Sequence, residues 1–360
     1  MSKMLTAVAS LVPKLEHSLH KGSCGSIGVL GGCFEYTGAP YYAAISTLKA
    51  GADLAHVFCA REAATPIKSY SPELIVHPVF VTSQQAAADV GVARAAVVDK
   101  AVKAVCDWFP RLSALVVGPG LGRDELMLEC VAQVVERARA AGLPVVLDGD
   151  GAFLLCQRPA ILAGYQNGVV TPNVREFARL QAALGLSEGA GGNETVALAR
   201  ALGGVTVLRK GATDEISNGT FLAKVALQST IATAPPRRCG GQGDVLAGTT
   251  GVFLSWAAKA GRLEENVTAA PPPPPVAAAA AAAAAAAVEV IDLMCPDAAA
   301  VDRFTASPGA AVMLAALGGS IATRAAAASA FAQHKRSMTT PDLISHMGGA
   351  FEQLFPTAAL

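Results

Sequence analysis

A surplus of charge of either sign is absent from this chain: Lys and Arg number 28, Asp and Glu number 28, and the formal net charge at pH 7 is zero. Nucleic acids and anionic membranes are held largely through basic surface, so this balance argues against both as partners and leaves small molecules as the default ligands. Cysteine pairing is absent too. The eight cysteines, Cys24, Cys33, Cys59, Cys106, Cys130, Cys156, Cys239 and Cys295, stand singly, with no C-x-x-C pair and no Cys/His cluster at zinc-ligand spacing. They read as reduced thiols, which suits the cytoplasm. The N-terminal stretch has no long apolar core ahead of a cleavage site and few arginines, so neither a secretory signal nor a transit peptide is expected. The one stretch that suggests a membrane span is alanine at 277–287, flanked by Val276 and Val288 and preceded by Pro271 to Pro275. It is shorter than the roughly 20 residues a membrane helix needs.

Apolar residues are plentiful: 52% of the 360 positions are hydrophobic, enough for a large core that needs no disulfide or metal. Short β-branched runs at 26–30, 54–58, 112–117, 144–147 and 168–171 alternate with helical patterns at 40–51, 124–141 and 174–184. That alternation predicts an α/β fold, a mostly parallel central sheet with helices on both faces. After a further strand at 205–208, segments at 215–217 and 220–223 flank Asn218-Gly219, a type I′ hairpin signal, so the sheet is expected to end in an antiparallel edge. A glycine loop then opens an apolar helix over about 240–260, and helices at about 312–334 and 341–355 close the chain. One domain is expected over 21–355, after a lead-in at 1–20. The Pro/Ala-rich segment at about 264–310 reads as a low-complexity insertion looped out of it.

The segment richest in chemistry is Arg237-Arg-Cys-Gly-Gly-Gln-Gly-Asp244, which leads directly into the apolar helix. Glycines at a helix start let backbone approach a ligand, and the unpaired N–H groups there suit a phosphoryl group. A carboxylate beside such an anion hole can accept the proton of an attacking hydroxyl, which makes Asp244 the candidate general base. The same residues also fit an ordinary turn with Asp244 as a helix cap. Gly118-Pro-Gly-Leu-Gly122 follows a strand but has G-x-G-x-G spacing, with an amide removed by Pro119, which argues against a Rossmann dehydrogenase. Asn173 is a good N-cap for the next helix, with Glu176 and Arg179 at i, i+3 as a surface pair. Asp148 and Asp150 end a strand, where Asp150 reads as a cap. Pro40 reads as the first residue of a helix opened by Glu35-Tyr-Thr-Gly-Ala-Pro40.

Taken together, these motifs resemble the ATP- or ADP-dependent NAD(P)H-hydrate dehydratases of the ribokinase-like superfamily. The resemblance also rests on Lys21-Gly22 before Gly25-Ser-Ile-Gly-Val-Leu-Gly-Gly32, on Ser71-Pro-Glu-Leu-Ile-Val-His-Pro78, on Thr171-Pro-Asn-Val-Arg-Glu-Phe-Ala-Arg179 and on Lys210-Gly211 with Asp214. It covers most of residues 20–260 and resumes at about 314–355, where Lys335-Arg-Ser-Met-Thr-Thr340 has Lys335 in place of a usual glycine. Asp148-Gly-Asp-Gly151 departs mildly from the family's D-A-D-G-L, and catalysis is not expected to depend on it.

The resemblance implies a ribokinase-like three-layer sandwich and dehydration of the S epimer of hydrated NADH or NADPH, with ATP or ADP as co-substrate and Mg2+. Asp244 would be catalytic. Gly122, Asn173, Val174, Arg175, Glu176, Phe177, Ala178, Arg179 and Asp244 would contact the hydrated dinucleotide. Lys210, Gly211, Ala212, Thr213, Asp214, Ala234, Pro235, Pro236, Arg237, Arg238, Cys239, Gly240, Gly241, Gln242 and Gly243 would contact the nucleotide, and Glu176 would help hold metal through water. A homo-oligomer and functional pairing with an NAD(P)H-hydrate epimerase belong to the same expectation. Two rivals share the glycine loop: a small-molecule hydroxyl kinase of the same superfamily, since the fold does not fix the acceptor, and a non-catalytic nucleotide-binding protein.

Overall fold

The structure, a computed structural model, describes residues 2–88, 93–186, 193–225, 235–263, 289–292 and 297–357. Its strands are β1 (Ser26–Leu30), β2 (Leu54–Ala60), β3 (Ile75–Phe80), β4 (Ala114–Val117), β5 (Val145–Leu147), β6 (Gly168–Val170), β7 (Thr206–Arg209), β8 (Asp214–Ser217), β9 (Phe221–Val225) and β10 (Glu289–Asp292). They form one sheet in the order β10-β9-β8-β7-β6-β5-β4-β1-β2-β3. The helices are α1 (Lys3–Ala9), α2 (Gly38–Lys49), α3 (Arg61–Tyr70), α4 (Ser83–Ala88), α5 (Arg94–Cys106), α6 (Glu125–Ala140), α7 (Asp150–Gln157), α8 (Val174–Ala183), α9 (Glu194–Ala201), α10 (Gln242–Lys259), α11 (Ala298–Thr305), α12 (Ala310–His334) and α13 (Thr340–Leu354).

From β3 across to β7 the pairing is parallel throughout. Every residue of β1, β4, β5 and β6 is buried, as a sheet covered on both faces requires. One set of helices, α2, α10, α12 and α13, packs together on the sheet, while α5 packs on α6 and α7 on α8. This is the expected mostly parallel, three-layer arrangement. β3 was not anticipated, because Pro78 and the exposed Ile75 break the pattern of a central strand; at the sheet edge both are tolerated.

The antiparallel edge is present, since β8 pairs antiparallel with both β7 and β9. Its turn is not type I′, which needs positive φ at both central residues. Only Gly219 has positive φ there, and the Asn218 carboxamide accepts from the amides of Thr220 and Phe221, each at 3.1 Å. Nor is β9 the last strand, because β10 adds parallel to it.

β10 and α11 fall inside the segment expected to loop out. Val301 and Phe304 of α11 are each 1% exposed, and the Phe304 ring meets that of Phe221 edge-on at 5.3 Å. Residues 289–292 and 298–305 therefore belong to the fold, whereas the polyalanine at 277–287 lies outside the described residues. By length and composition the candidate membrane span among the described residues is instead α12 with its extension, Ala310–Ser337, and it is buried in the protein interior.

α10 is apolar all round because it is enclosed all round: every residue from Val245 to Ala257 is buried. Small residues let its neighbours come close. A side chain at Gly248 would run into the backbone of Ala43 in α2, and one at Gly319 of α12 would strike Thr250.

Candidate active site

The parallel strands deliver their carboxyl ends to one edge of the sheet. Glu35 and Tyr36 follow β1, Gly118 to Gly122 follow β4, Asp148 follows β5, Asn173 follows β6 and Lys210 follows β7. The strand order reverses between β1 and β4, the place where open α/β sheets leave a crevice. Gly118, at φ +115°, must be glycine: a Cβ there would collide with the Asp148 carbonyl.

Two cavities open along this edge. The first, about 500 Å³, is lined by Lys210, Gly211, Ala212, Asp214, Pro235, Pro236, Arg238, Cys239, Gln242 and Gly243 from the expected nucleotide set, and by Asn173, Leu246, Ser320, Thr323 and Arg324. The second, about 640 Å³, is lined by Gly122, Glu176, Arg179 and Asp244 from the expected dinucleotide set; Glu35, Tyr36, Ala39, Gly120, Arg123, Asp150 and Phe153 are among its other walls. Gly243 and Asp244, adjacent in sequence, face different cavities. The start of α10 is thus where the two spaces meet.

Local geometry explains that placement. Gly241, at φ +94°, is the N-cap of α10, so Asp244 is the third residue of its first turn and not a cap. A Cβ on Gly241 would come within 2.7 Å of the Tyr42 ring. The amides of Gly240, Gly241 and Gly243 have no acceptor among the described residues, as an anion site at a helix start requires. Thr340 is held against the Gly240 carbonyl through its hydroxyl, and Arg237 Nε donates to the Met338 carbonyl at 3.0 Å. Arg237 therefore anchors the loop while Arg238 lines the first cavity.

Asp244 is surrounded by charge. Burial pushes its carboxyl well above the usual range; Asp148 and Glu176 push the same way and Lys210 opposes them. Lys210 Nζ lies 2.5 Å from Asp148 Oδ1 and 3.9 Å from Glu176 Oε2. Burial alone would lower the Lys210 ammonium, but Asp148 and Glu176 outweigh it and hold it above its ordinary value. Thr171 fixes Asp148 by donating its hydroxyl to Oδ1 at 2.8 Å. Glu176 is raised by burial, with Lys210 opposing.

α8 presents only one face to the site. Asn173 caps it in a reciprocal box: its side chain accepts from the amides of Arg175 and Glu176, and Glu176 Oε2 accepts from the Asn173 amide at 2.9 Å. Asn173, Glu176 and Arg179, three residues apart, reach the cavities, Asn173 on the first and not on the second. Of the other expected contacts, Phe177 is in the core with Arg209 stacked 4.2 Å from its ring centroid, and Val174, Arg175 and Ala178 face outward. Thr213, Arg237, Gly240 and Gly241 do not line the first cavity, and Ala234 lies outside the described residues. Glu176 pairs with Lys210 rather than with Arg179.

Asp150 is not the cap of α7 either; Gly149 is, and Asp150 Oδ2 accepts from the Gly122 amide at 2.9 Å. Pro40 is the third residue of α2, which starts at Gly38. Sequence reasoning missed Arg324, a lone arginine in an alanine-rich helix. Its guanidinium grips both oxygens of Asp214 at 2.5 and 2.8 Å and the carbonyls of Gly211 and Ala212 at 2.7 and 3.0 Å.

Among the described residues, no three metal-ligating side chains converge. That excludes an all-protein cage there but fits magnesium, which takes one or two carboxylates and completes its shell with phosphate and water. Glu176, the carboxylate expected to help hold it, lines the second cavity.

The chain is 44% identical over 361 residues to an ATP-dependent (S)-NAD(P)H-hydrate dehydratase of Physcomitrium patens, an alignment covering 97% of this chain and 95% of the relative. Among solved structures it is similar to a ribokinase-like superfamily protein of Enterococcus faecalis, with TM-score 0.62, 15% identity and coverage of 98% and 95%. It is also similar to a Bacillus subtilis ADP/ATP-dependent NAD(P)H-hydrate dehydratase co-crystallised with ATP and Mg2+, with TM-score 0.55, 17% identity and coverage of 97% of both chains. These likenesses show a ribokinase-like fold. The NAD(P)H-hydrate dehydratase family model matches residues 27–301, so the chain belongs to the NAD(P)H-hydrate dehydratase family.

Proposed function

We propose that this protein restores NADH and NADPH from the S epimer of their hydrates at the expense of ATP or ADP. The observation that carries the reading is the adjacency of Gly243 and Asp244, which puts an unbonded amide on one cavity and a carboxylate on the other. The first cavity would take the nucleotide, with its phosphates on the glycine-loop amides, Arg238 and Lys210. The second would take the hydrated dinucleotide.

Asp244 would accept the proton of the ring hydroxyl as its oxygen bonds to the terminal phosphorus of the nucleotide. The bond from that phosphorus to the bridging oxygen breaks, and ADP leaves when ATP is the donor. Phosphate is a far better leaving group than hydroxide. Its departure with the ring C–O electron pair, and loss of a proton from the neighbouring carbon, restores the reduced nicotinamide. Magnesium bound beside Glu176 would offset phosphoryl charge. The singly placed cysteines also support a cytoplasmic location, the zero net charge supports the lack of a nucleic-acid or membrane partner, and the family resemblance supports a homo-oligomer functionally paired with an NAD(P)H-hydrate epimerase.

The test is to mix purified protein with hydrated NADH, ATP and magnesium. Return of the reduced-nicotinamide absorbance with equimolar phosphate release supports the reading. A stable phosphorylated product would make the protein a kinase instead, and ATP binding without turnover would make it a non-catalytic binder.

A further inference from the structure

Thr323 of α12 is 3% exposed, and its hydroxyl has no hydrogen-bond partner among the described residues. The side-chain oxygen of Gln242 is buried and unpartnered in the same way. Both residues line the first cavity. A buried polar atom without a partner is unfavourable and calls for an explanation. Ser26 and Thr250 carry such hydroxyls too, but among the described residues only Thr323 and Gln242 combine such an atom with a place on this cavity.

The helix could have supplied a partner. Thr249 of α10 donates its hydroxyl back to the Val245 carbonyl at 2.8 Å, the usual resort of a helical threonine, and Thr323 makes no such bond. Its neighbours are engaged elsewhere: Ser320 donates to Asp214 at 2.7 Å, and Arg324 is held by Asp214 and the Gly211 and Ala212 carbonyls.

We propose that Thr323 is a nucleoside-binding residue, whose hydroxyl, beside the carboxamide oxygen of Gln242 already expected at the nucleotide, hydrogen-bonds the base or ribose. This rests on the reading of the first cavity as the nucleotide site. The nucleoside is favoured over the phosphates on electrostatic grounds. Arg324 is the cation on the wall that Thr323 shares, and it is neutralised by Asp214. The unbonded amides belong to the glycine loop. Pro235, Pro236 and Leu246 add apolar surface of the kind a flat ring needs.

Thr323→Val removes the hydroxyl and keeps the shape. Calorimetry should show ATP binding weakened roughly five- to thirty-fold, with tripolyphosphate, which lacks a nucleoside, bound as by the wild type. Without nucleotide the variant should melt no lower than the wild type, since no native bond is lost. Unchanged ATP affinity, or an equal loss for ATP and tripolyphosphate, overturns the proposal. Thr323→Ser and Thr323→Ala, which share the missing methyl and differ by the hydroxyl, give the same comparison should the valine variant fold poorly. Ala212→Trp, at an exposed position on the cavity wall, separates the two layers of inference. If it weakens ATP binding while Thr323→Val does not, the threonine assignment fails alone; if it leaves ATP binding intact, the cavity assignment fails with it.

Discussion

Lys210 and Asp148, 62 positions apart in the chain, meet in a largely buried ion pair of 2.5 Å beside the first cavity. From sequence, Lys210 is expected at the nucleotide and Asp148 has no expected part in catalysis. In the structure the aspartate holds the lysine, and both bear on Asp244. Breaking a buried pair typically costs roughly 3–5 kcal/mol because the remaining charge is stranded. Glu176 stays within 3.9 Å of Lys210, so Asp148→Asn should lose less, about 2 kcal/mol in urea unfolding. Turnover should fall at least tenfold. Wild-type turnover with lost stability would make the pair purely structural.

Asp244 predicts the pH behaviour. A base must be deprotonated, and burial together with Asp148 raises this carboxyl. kcat/KM should therefore decline as pH falls through a value above the ordinary carboxylate range of about 4, and Asp148→Asn should move that limb to lower pH. For stability the sign is opposite to that of a salt-bridged aspartate. A raised folded-state pKa contributes stability that is fully present below the unfolded value and lost as pH rises through the folded one. Asp244→Asn should accordingly be no less stable than wild type at neutral pH, and the difference should vanish in acid. pH-dependent denaturant titrations check this.

Arg324 fixes the loop that carries Lys210 to Asp214. Lysine there would keep a charge but lose the fork that reaches Asp214 and two carbonyls at once. Arg324→Lys should weaken ATP binding at least tenfold while the affinity for hydrated NADH changes less than threefold. Calorimetry on each ligand measures the contrast.

A segment looped out over the whole of about 264–310, as its composition implies, would be removable. β10 and α11 now limit that expectation to 264–288, whose deletion should leave folding and turnover near wild type. Deleting through 306 also removes Val301 and Phe304 from the core. Phe304→Ala alone should cost about 3–4 kcal/mol in urea unfolding, so the longer deletion should fail to give soluble, folded protein.

The central strands were legible because β-branched runs buried on both faces announce themselves locally, and the glycine loop was legible because few other local structures need so many glycines before a helix. What escaped depended on distant partners. β3 carries Pro78, which only an edge position permits, and β10 is a short strand that pairs with β9 across a long separation. Asp148 has no meaning without Lys210, nor Arg324 without Asp214, 110 positions away. The sequence motif at 173–179 reads as one block. The helical repeat turns only Asn173, Glu176 and Arg179 toward the cavities and sends Phe177 into the core.

The central claim is that Asp244 is the base that activates the acceptor hydroxyl. Asp244 caps nothing, so Asp244→Asn removes proton acceptance and leaves the helix start intact. The decisive measurement is turnover of hydrated NADH by this variant, taken alongside its ATP affinity on the same preparation. Loss of a positioned base predicts a fall of roughly a hundred- to ten-thousand-fold with ATP still bound as by the wild type. Turnover within a few-fold of wild type would contradict the mechanism.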